Sequence, residues 1–258
     1  MSSHVHISTE IDATYRADHV AAKALQYSKS FDVSAISYGR AHWGTKKTTK
    51  ETPAPYYGFL AGLVASHRIH RICEIGTHEG GATRAMAKGL TGSPDARIVT
   101  VDITRDSDQH LRKQANITKV TGDAVSANTV ARVLNSFSEN HKIGLLFIDA
   151  SHKYLTELLV FSIYIQALSP EIVVIDDINL NADMQNFWKK ITSGRDPSTW
   201  IDVSTMYPEV RSERVGFGLL TLPENRYVAP MVLTVPVVSN LKKRVRRTMQ
   251  WMSVPGFR

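Results

Sequence analysis

Short unbroken apolar runs alternate with stretches whose apolar residues recur at helical spacing along this chain. The runs are Ile72-Cys73-Glu74-Ile75, Arg97-Ile98-Val99-Thr100-Val101-Asp102, Leu145-Leu146-Phe147-Ile148-Asp149 and Ile172-Val173-Val174-Ile175-Asp176. Runs of this length without polar alternation predict strands covered on both faces, as in a parallel sheet. A weaker strand closes at the turn Val120-Thr121-Gly122-Asp123-Ala124, and residues 200–205 and 215–221 predict two more, paired as an antiparallel edge. Helices are predicted over 13–28, with Tyr15, Val20, Ala21 and Leu25 on one side, and over 56–67 as an amphipathic element. Further helices follow the glycines at 80–81, cover 155–168 up to Ser169-Pro170, and begin at Asn181. Strands alternating with helices predict a doubly wound α/β fold with a mainly parallel, seven-stranded sheet and an antiparallel last strand. The boundaries divide the chain into an N-terminal helical cap or lid (1–55), a ligand-binding catalytic domain (56–222) and a C-terminal extension (223–258).

In such a sheet, ligands bind beyond the carboxyl ends of the strands. Glu74, Asp102, Asp149, Asp176 and Asp177 all fall at that edge. The first run turns through Gly76-Thr77-His78-Glu79-Gly80-Gly81, where Gly76 permits a left-handed turn and Gly80 and Gly81 leave no Cβ between backbone and ligand. An ordinary glycine-rich turn reads the same way. Asp102, ending the second strand, stands where a ribose diol is held. Asp149 and the pair Asp176-Asp177 end strands expected to be neighbours about 4.8 Å apart, so their carboxylates can converge on one ion. Crowded carboxylates repel, and a hard dication relieves the repulsion, with all-oxygen ligation suiting Mg²⁺. Either acid of the pair could equally cap the next helix. His152, three residues after Asp149, has the right intrinsic chemistry for a base near neutrality, or is an exposed histidine in a first helical turn.

The Glu-x-Gly-x-x-x-Gly stretch at 74–80 resembles the first motif of the class I S-adenosylmethionine-dependent methyltransferases. The resemblance implies a Rossmann-like fold and S-adenosylmethionine as cofactor, contacted by Glu74, Gly76, Thr77, Gly80, Gly81, Asp102, Ile103, Asp123 and Ala124. Asp149-Ala150-Ser151-His152 together with Asp176-Asp177 is similar to the metal-dependent O-methyltransferases that act on sugar hydroxyls of macrolides and related products. It implies Mg²⁺ on Asp149, Asp176 and Asp177, His152 as base, and a small hydroxylated acceptor, a sugar or glycoside. Gly44-Thr45-Lys46 is similar to a Gly-Thr-Asp-Lys element of some relatives, but lacks its acid. A catechol or phenol methyltransferase, a nucleic-acid methyltransferase and a non-catalytic binding protein on the same fold are the alternatives.

Composition changes this picture little. With 258 residues and 43% apolar content, one substantial core can be buried. The formal charge of +7 includes five cations in Lys242-Lys243-Arg244 and Arg246-Arg247, so the body is not marked as a nucleic-acid binder. That tail, with Leu241, Val245, Met249 and Met252 at helical spacing, reads as a basic amphipathic helix for weak membrane-surface contact, or for docking on the protein or a second subunit of a homo-oligomer. The single Cys73 permits no intramolecular disulfide, and no signal-peptide core or membrane-length apolar run is present, so a cytoplasmic enzyme is expected.

Overall fold

The computed structural model describes residues 15–36, 54–90, 92–105, 107–111, 114–137 and 141–223. Strands β1 (Arg71–Ile75), β2 (Arg97–Asp102), β3 (Ile117–Thr121), β4 (Leu145–Ile148), β5 (Ile172–Asp176), β6 (Trp200–Asp202) and β7 (Phe217–Thr221) form one sheet in the order β3-β2-β1-β4-β5-β7-β6. The five strands from β3 to β5 pair in parallel, while β7 runs antiparallel to both neighbours. The predicted antiparallel closure is therefore present, with β7 inserted between β5 and β6. The expected strand at 200–205 is cut short, because Asp202 accepts from the Ser204 N–H (3.0 Å) and caps a turn of helix at Val203–Met206.

Alternation sorts the strand residues onto two covered faces. Cys73, Ile75, Val99, Val101, Leu146 and Ile148 pack under helices α5 (Ala127–Ser136), α6 (Tyr154–Leu168) and α7 (Ala182–Thr192). Ile72, Ile98, Leu145, Phe147 and Val174 pack under α1 (Ala17–Ser28), α2 (Tyr56–Ser66) and α3 (Gly81–Gly89). Helix α2 corrects the amphipathic expectation. Nine of its eleven residues are buried, since it lies between α1, α3 and the sheet, and a helix that is apolar all round belongs inside. The described part of the N-terminal cap, α1, buries Ala17, Val20, Ala21 and Ala24 in that same core. Tyr38 through Pro53, including Gly44-Thr45-Lys46, and the basic tail lie outside the described residues. No helix among the described residues is long and apolar enough to cross a membrane.

Register places the acids. Glu74 lies beside Thr100 of β2 and Phe147 of β4, and Ile148 lies beside Ile175. Asp149 and Asp176 thus leave the sheet at the same level on adjacent parallel strands.

Candidate active site

The loop after β1 is set by its contact with the end of β4. Gly76 has φ +96°, and a Cβ there would fall 1.7 Å from the Asp149 carbonyl oxygen, so only glycine fits. The Asp149 N–H donates to the Ile75 carbonyl at 2.8 Å, which locks the two strand ends together. Asp102 fastens the rest of the loop. Its Oδ2 accepts from the N–H groups of Thr77 (2.9 Å) and His78 (2.8 Å), and its Oδ1 accepts from the Thr104 N–H (2.9 Å). A carboxylate has about four lone-pair sites, so most of Asp102's acceptor capacity is used within the protein. Thr77 turns inward to share a hydrogen bond with Thr100 (2.5 Å between hydroxyl oxygens).

Gly80 and Gly81 pack closely against other elements of the protein. Added Cβ atoms would meet the Leu111 side chain at 3.1 Å and the Tyr57 hydroxyl at 1.9 Å, so these glycines make room for the protein itself. Asp123 makes a turn contact, its Oδ1 accepting from the Val125 N–H at 3.1 Å, and the Ala124 carbonyl accepts from the Tyr164 hydroxyl at 3.1 Å. Ile103 and Glu74 are different. Ile103, directly after Asp102, is 73% exposed, an apolar face beside a polar loop. Glu74 is fully buried; the Thr83 hydroxyl donates to its Oε2, but its Oε1 has no hydrogen-bond partner among the described residues. Burial pushes the Glu74 carboxyl up to about 7, with the nearby Thr100 and Thr83 hydroxyls opposing the rise and the Asp102 charge adding to it.

At the ends of β4 and β5 the structure brings together His152, Asp149 and Asp177. His152 Nε2 lies 3.8 Å from Asp149 Oδ1 and 3.7 Å from Asp177 Oδ2, and its side chain is 28% exposed. Its Nδ1 is buried without a partner among the described residues. The turn that aims the ring is held by Glu157, a fully buried residue of α6. Glu157 Oε1 accepts from the N–H groups of Ser151 (2.6 Å) and His152 (2.8 Å). Burial, and then the charge of Asp177, pushes the Asp149 carboxyl up to about 7, against the pull of Arg211.

The three acids expected to share Mg²⁺ are not presented as one set. Asp176 faces Arg211, whose Nε and Nη2 donate to its two oxygens at 3.0 Å each, and Nη2 also reaches Asp177 Oδ1 at 2.5 Å. Burial and the neighbouring Asp149 raise Asp176 well above the usual carboxylate range, with Arg211 opposing. Among the described residues no group of three His, Cys, Asp or Glu side chains is arranged to hold a metal. As they stand, these residues do not fit a resident dication.

Arg211 and Glu157 were absent from the sequence reading. Glu157 carried a usable signal: it is the only charged side chain of α6, a helix otherwise almost wholly apolar. Arg211 carried none, lying in a polar segment more than thirty residues from its partners.

A family model described as a methyltransferase domain matches residues 73–178. None of the curated proteins matches the sequence. Among solved structures, the chain is similar to an O-methyltransferase from Bacillus cereus in complex with SAH (18% identity, 84% of this chain and 94% of that one, TM-score 0.49). It is also similar to the O-methyltransferase TomG of Streptomyces achromogenes, involved in tomaymycin synthesis and solved with SAM (19%, 78% and 89%, 0.47). The SAH-bound methyltransferase PaMTH1 of Podospora anserina is a third (14%, 78% and 87%, 0.49). The matched segment runs from β1 through the Asp176-Asp177 pair, so the part of this chain that is similar to a methyltransferase domain is the part that builds the acid edge.

Proposed function

We propose that this protein transfers the methyl group of S-adenosylmethionine to a hydroxyl of a sugar or glycoside, with His152 as general base. The observation that carries the reading is the position of His152, partly exposed at the carboxyl edge of β4 with two carboxylate oxygens beside Nε2. The residues present fit the cofactor: Glu74 Oε1 is an orphaned buried acceptor suited to an ammonium group, and Ile103 offers an apolar face for a base. Glu74, Ile103 and the loop fixed by Gly76 and Asp102 would hold it. When bound, it supplies an electrophilic sulfonium methyl.

The chain's task is then alignment and proton removal. With the cofactor bound, the acceptor oxygen would take the methyl group as the sulfonium leaves as a neutral thioether, and His152 would take the hydroxyl proton. The positive charge formed on the imidazole is met by Asp149 and Asp177, which stay within 4 Å of Nε2 because β4 and β5 end at one level. Glu157 keeps the ring aimed by holding its backbone. Mg²⁺, implied by the resemblance, has no step in this reading.

Transfer of labelled methyl to a panel of sugars, glycosides, catechols and RNA tests the proposal. Sugars or glycosides should be labelled, and His152→Ala should lower kcat by about 10² to 10⁴ while SAH affinity holds. Labelling confined to catechols or RNA would replace the acceptor class. Absence of SAH binding by the folded wild-type protein would sink the reading altogether.

A further inference from the structure

The acid edge already contains a cation. Arg211 lies between Val203–Met206 and β7, in a segment that returns over the ends of β4 and β5. Its guanidinium grips Asp176 with two near-equal bonds of 3.0 Å, reaches Asp177 Oδ1 with a third at 2.5 Å, and lies 5.1 Å from the centre of the Tyr56 ring. The Arg211 side chain is 15% exposed and that of Asp176 only 2%. A planar fork on a carboxylate, with an aromatic ring packed against it, is the arrangement arginine makes and lysine does not.

The arrangement uses the oxygens that a dication would need. Mg²⁺ demands close, near-octahedral oxygen ligation and is commonly held through one or two carboxylates. Both oxygens of Asp176 and one of Asp177 are engaged by Arg211. The remaining oxygen of Asp177 and Oδ1 of Asp149 both face His152 Nε2. A metal drawn to those two oxygens would compete with the imidazole for the same space and charge.

Resting on the methyltransferase reading above, we propose that Arg211 is the resident cation of this site, standing in place of a divalent metal. It is a positioning residue. By clasping Asp176 and Asp177 together it fixes the left-handed turn at Asp177 (φ +61°) and thereby the oxygen that faces His152. The reaction then needs no metal, because the charge a dication would offset is offset by the guanidinium.

Mn²⁺, read by electron paramagnetic resonance, is the probe, titrated into chelator-stripped full-length protein. Wild type should show no saturable Mn²⁺ binding and should keep its turnover after stripping. Arg211→Gln frees three oxygens of two carboxylates, Asp176 and Asp177, and should bind Mn²⁺ at least about tenfold more tightly than wild type. Arg211→Lys keeps the charge without the fork; it should stay blind to Mn²⁺ and recover only part of the turnover lost in Arg211→Gln. Saturable Mn²⁺ binding by wild type overturns the proposal, and so does a folded Arg211→Gln protein that remains blind. If Arg211→Gln fails to fold, the wild-type and Arg211→Lys titrations decide alone. SAH calorimetry on the same samples separates the two readings. Lost SAH binding in wild type removes the methyltransferase assignment, whereas the Mn²⁺ titration judges Arg211 whatever the acceptor is.

Discussion

Gly76→Ala is the perturbation whose cost follows most directly from the geometry. The residue has φ +96°, and the new methyl carbon would sit 1.7 Å from the Asp149 carbonyl oxygen and 2.6 Å from its carbon. Backbone, unlike a side-chain end, has nowhere local to go. The left-handed conformation costs about 1–2 kcal/mol for an L-residue, and forcing extra volume into a packed site costs about 1–3 kcal/mol more. The sum, about 2–5 kcal/mol, is a large part of the stability of an ordinary domain but leaves most such domains folded. Relief must come by parting the ends of β1 and β4, which strains the Asp149 N–H to Ile75 bond of 2.8 Å and carries Asp149 away from the loop after β1. A misplacement of about 1 Å costs about 10² in rate. Gly194→Ala is the control: its φ is +77°, but nothing lies within 4 Å of the added methyl, so it bears the conformational cost alone. Urea unfolding should show Gly76→Ala destabilised well beyond Gly194→Ala, and turnover should fall only in the former. Equal unfolding midpoints for the two variants, with normal turnover in both, would refute the steric argument.

The other two predictions concern buried carboxylates. Glu74 is raised from 4.5 to about 7, so its neutral form is favoured by folding; its stabilising contribution is complete below 4.5 and is lost as pH rises to about 7. Glu74→Gln should flatten stability across that window and exceed wild type above it by up to about 3 kcal/mol; an unchanged pH slope in urea titrations would count against the shift. Glu157→Ala removes the acceptor of two backbone N–H groups. It should cost about 1–3 kcal/mol and most of kcat, with Glu157→Gln recovering the larger part of both; unaltered turnover in the alanine variant would show that the turn does not aim His152.

How far the sequence reaches depends on whether a residue's partner is local. The parallel strands were legible because burial on both faces leaves continuous apolar runs, and the acids at 74, 102, 149 and 176 stand at or beside the carboxyl end of each run. Hence Asp149, His152, Asp176 and Asp177 were named together, and the structure brings Asp149 and Asp177 to His152 while Asp176 turns to Arg211. Helix α2 was misjudged although its residues, Tyr-Tyr-Gly-Phe-Leu-Ala-Gly-Leu-Val-Ala-Ser, spell no polar face. What the loop glycines accommodate was beyond reach, since Tyr57 and Leu111 arrive from distant elements. Arg211 was out of reach for the same reason. Glu209, Arg211, Glu213 and Arg214 read alike in sequence, and only the return of the segment over β5 selects which one turns inward.

The backbone gives a reason for so many acids at this edge that does not invoke a ligand. Non-glycine residues seldom adopt positive φ, and when they do the surroundings must hold them there. Two of the five such residues among those described, Arg68 and Ser169, follow the ends of α2 and α6, where left-handed caps are ordinary. The other three, His78, His152 and Asp177, lie in the loops after β1, β4 and β5. Each has its N–H taken by a carboxylate: His78 by Asp102 (2.8 Å), His152 by Glu157 (2.8 Å) and Asp177 by Asp176 (2.9 Å). A charged acceptor makes a stronger bond than a neutral one, and strain of about 1–3 kcal/mol per residue needs such a bond to persist. Asp102, Glu157 and Asp176 therefore act first as clamps on strained turns. Asp149 and Asp177 are left to face His152, and Arg211 offsets the charge that the clamp at Asp176 brings into the core.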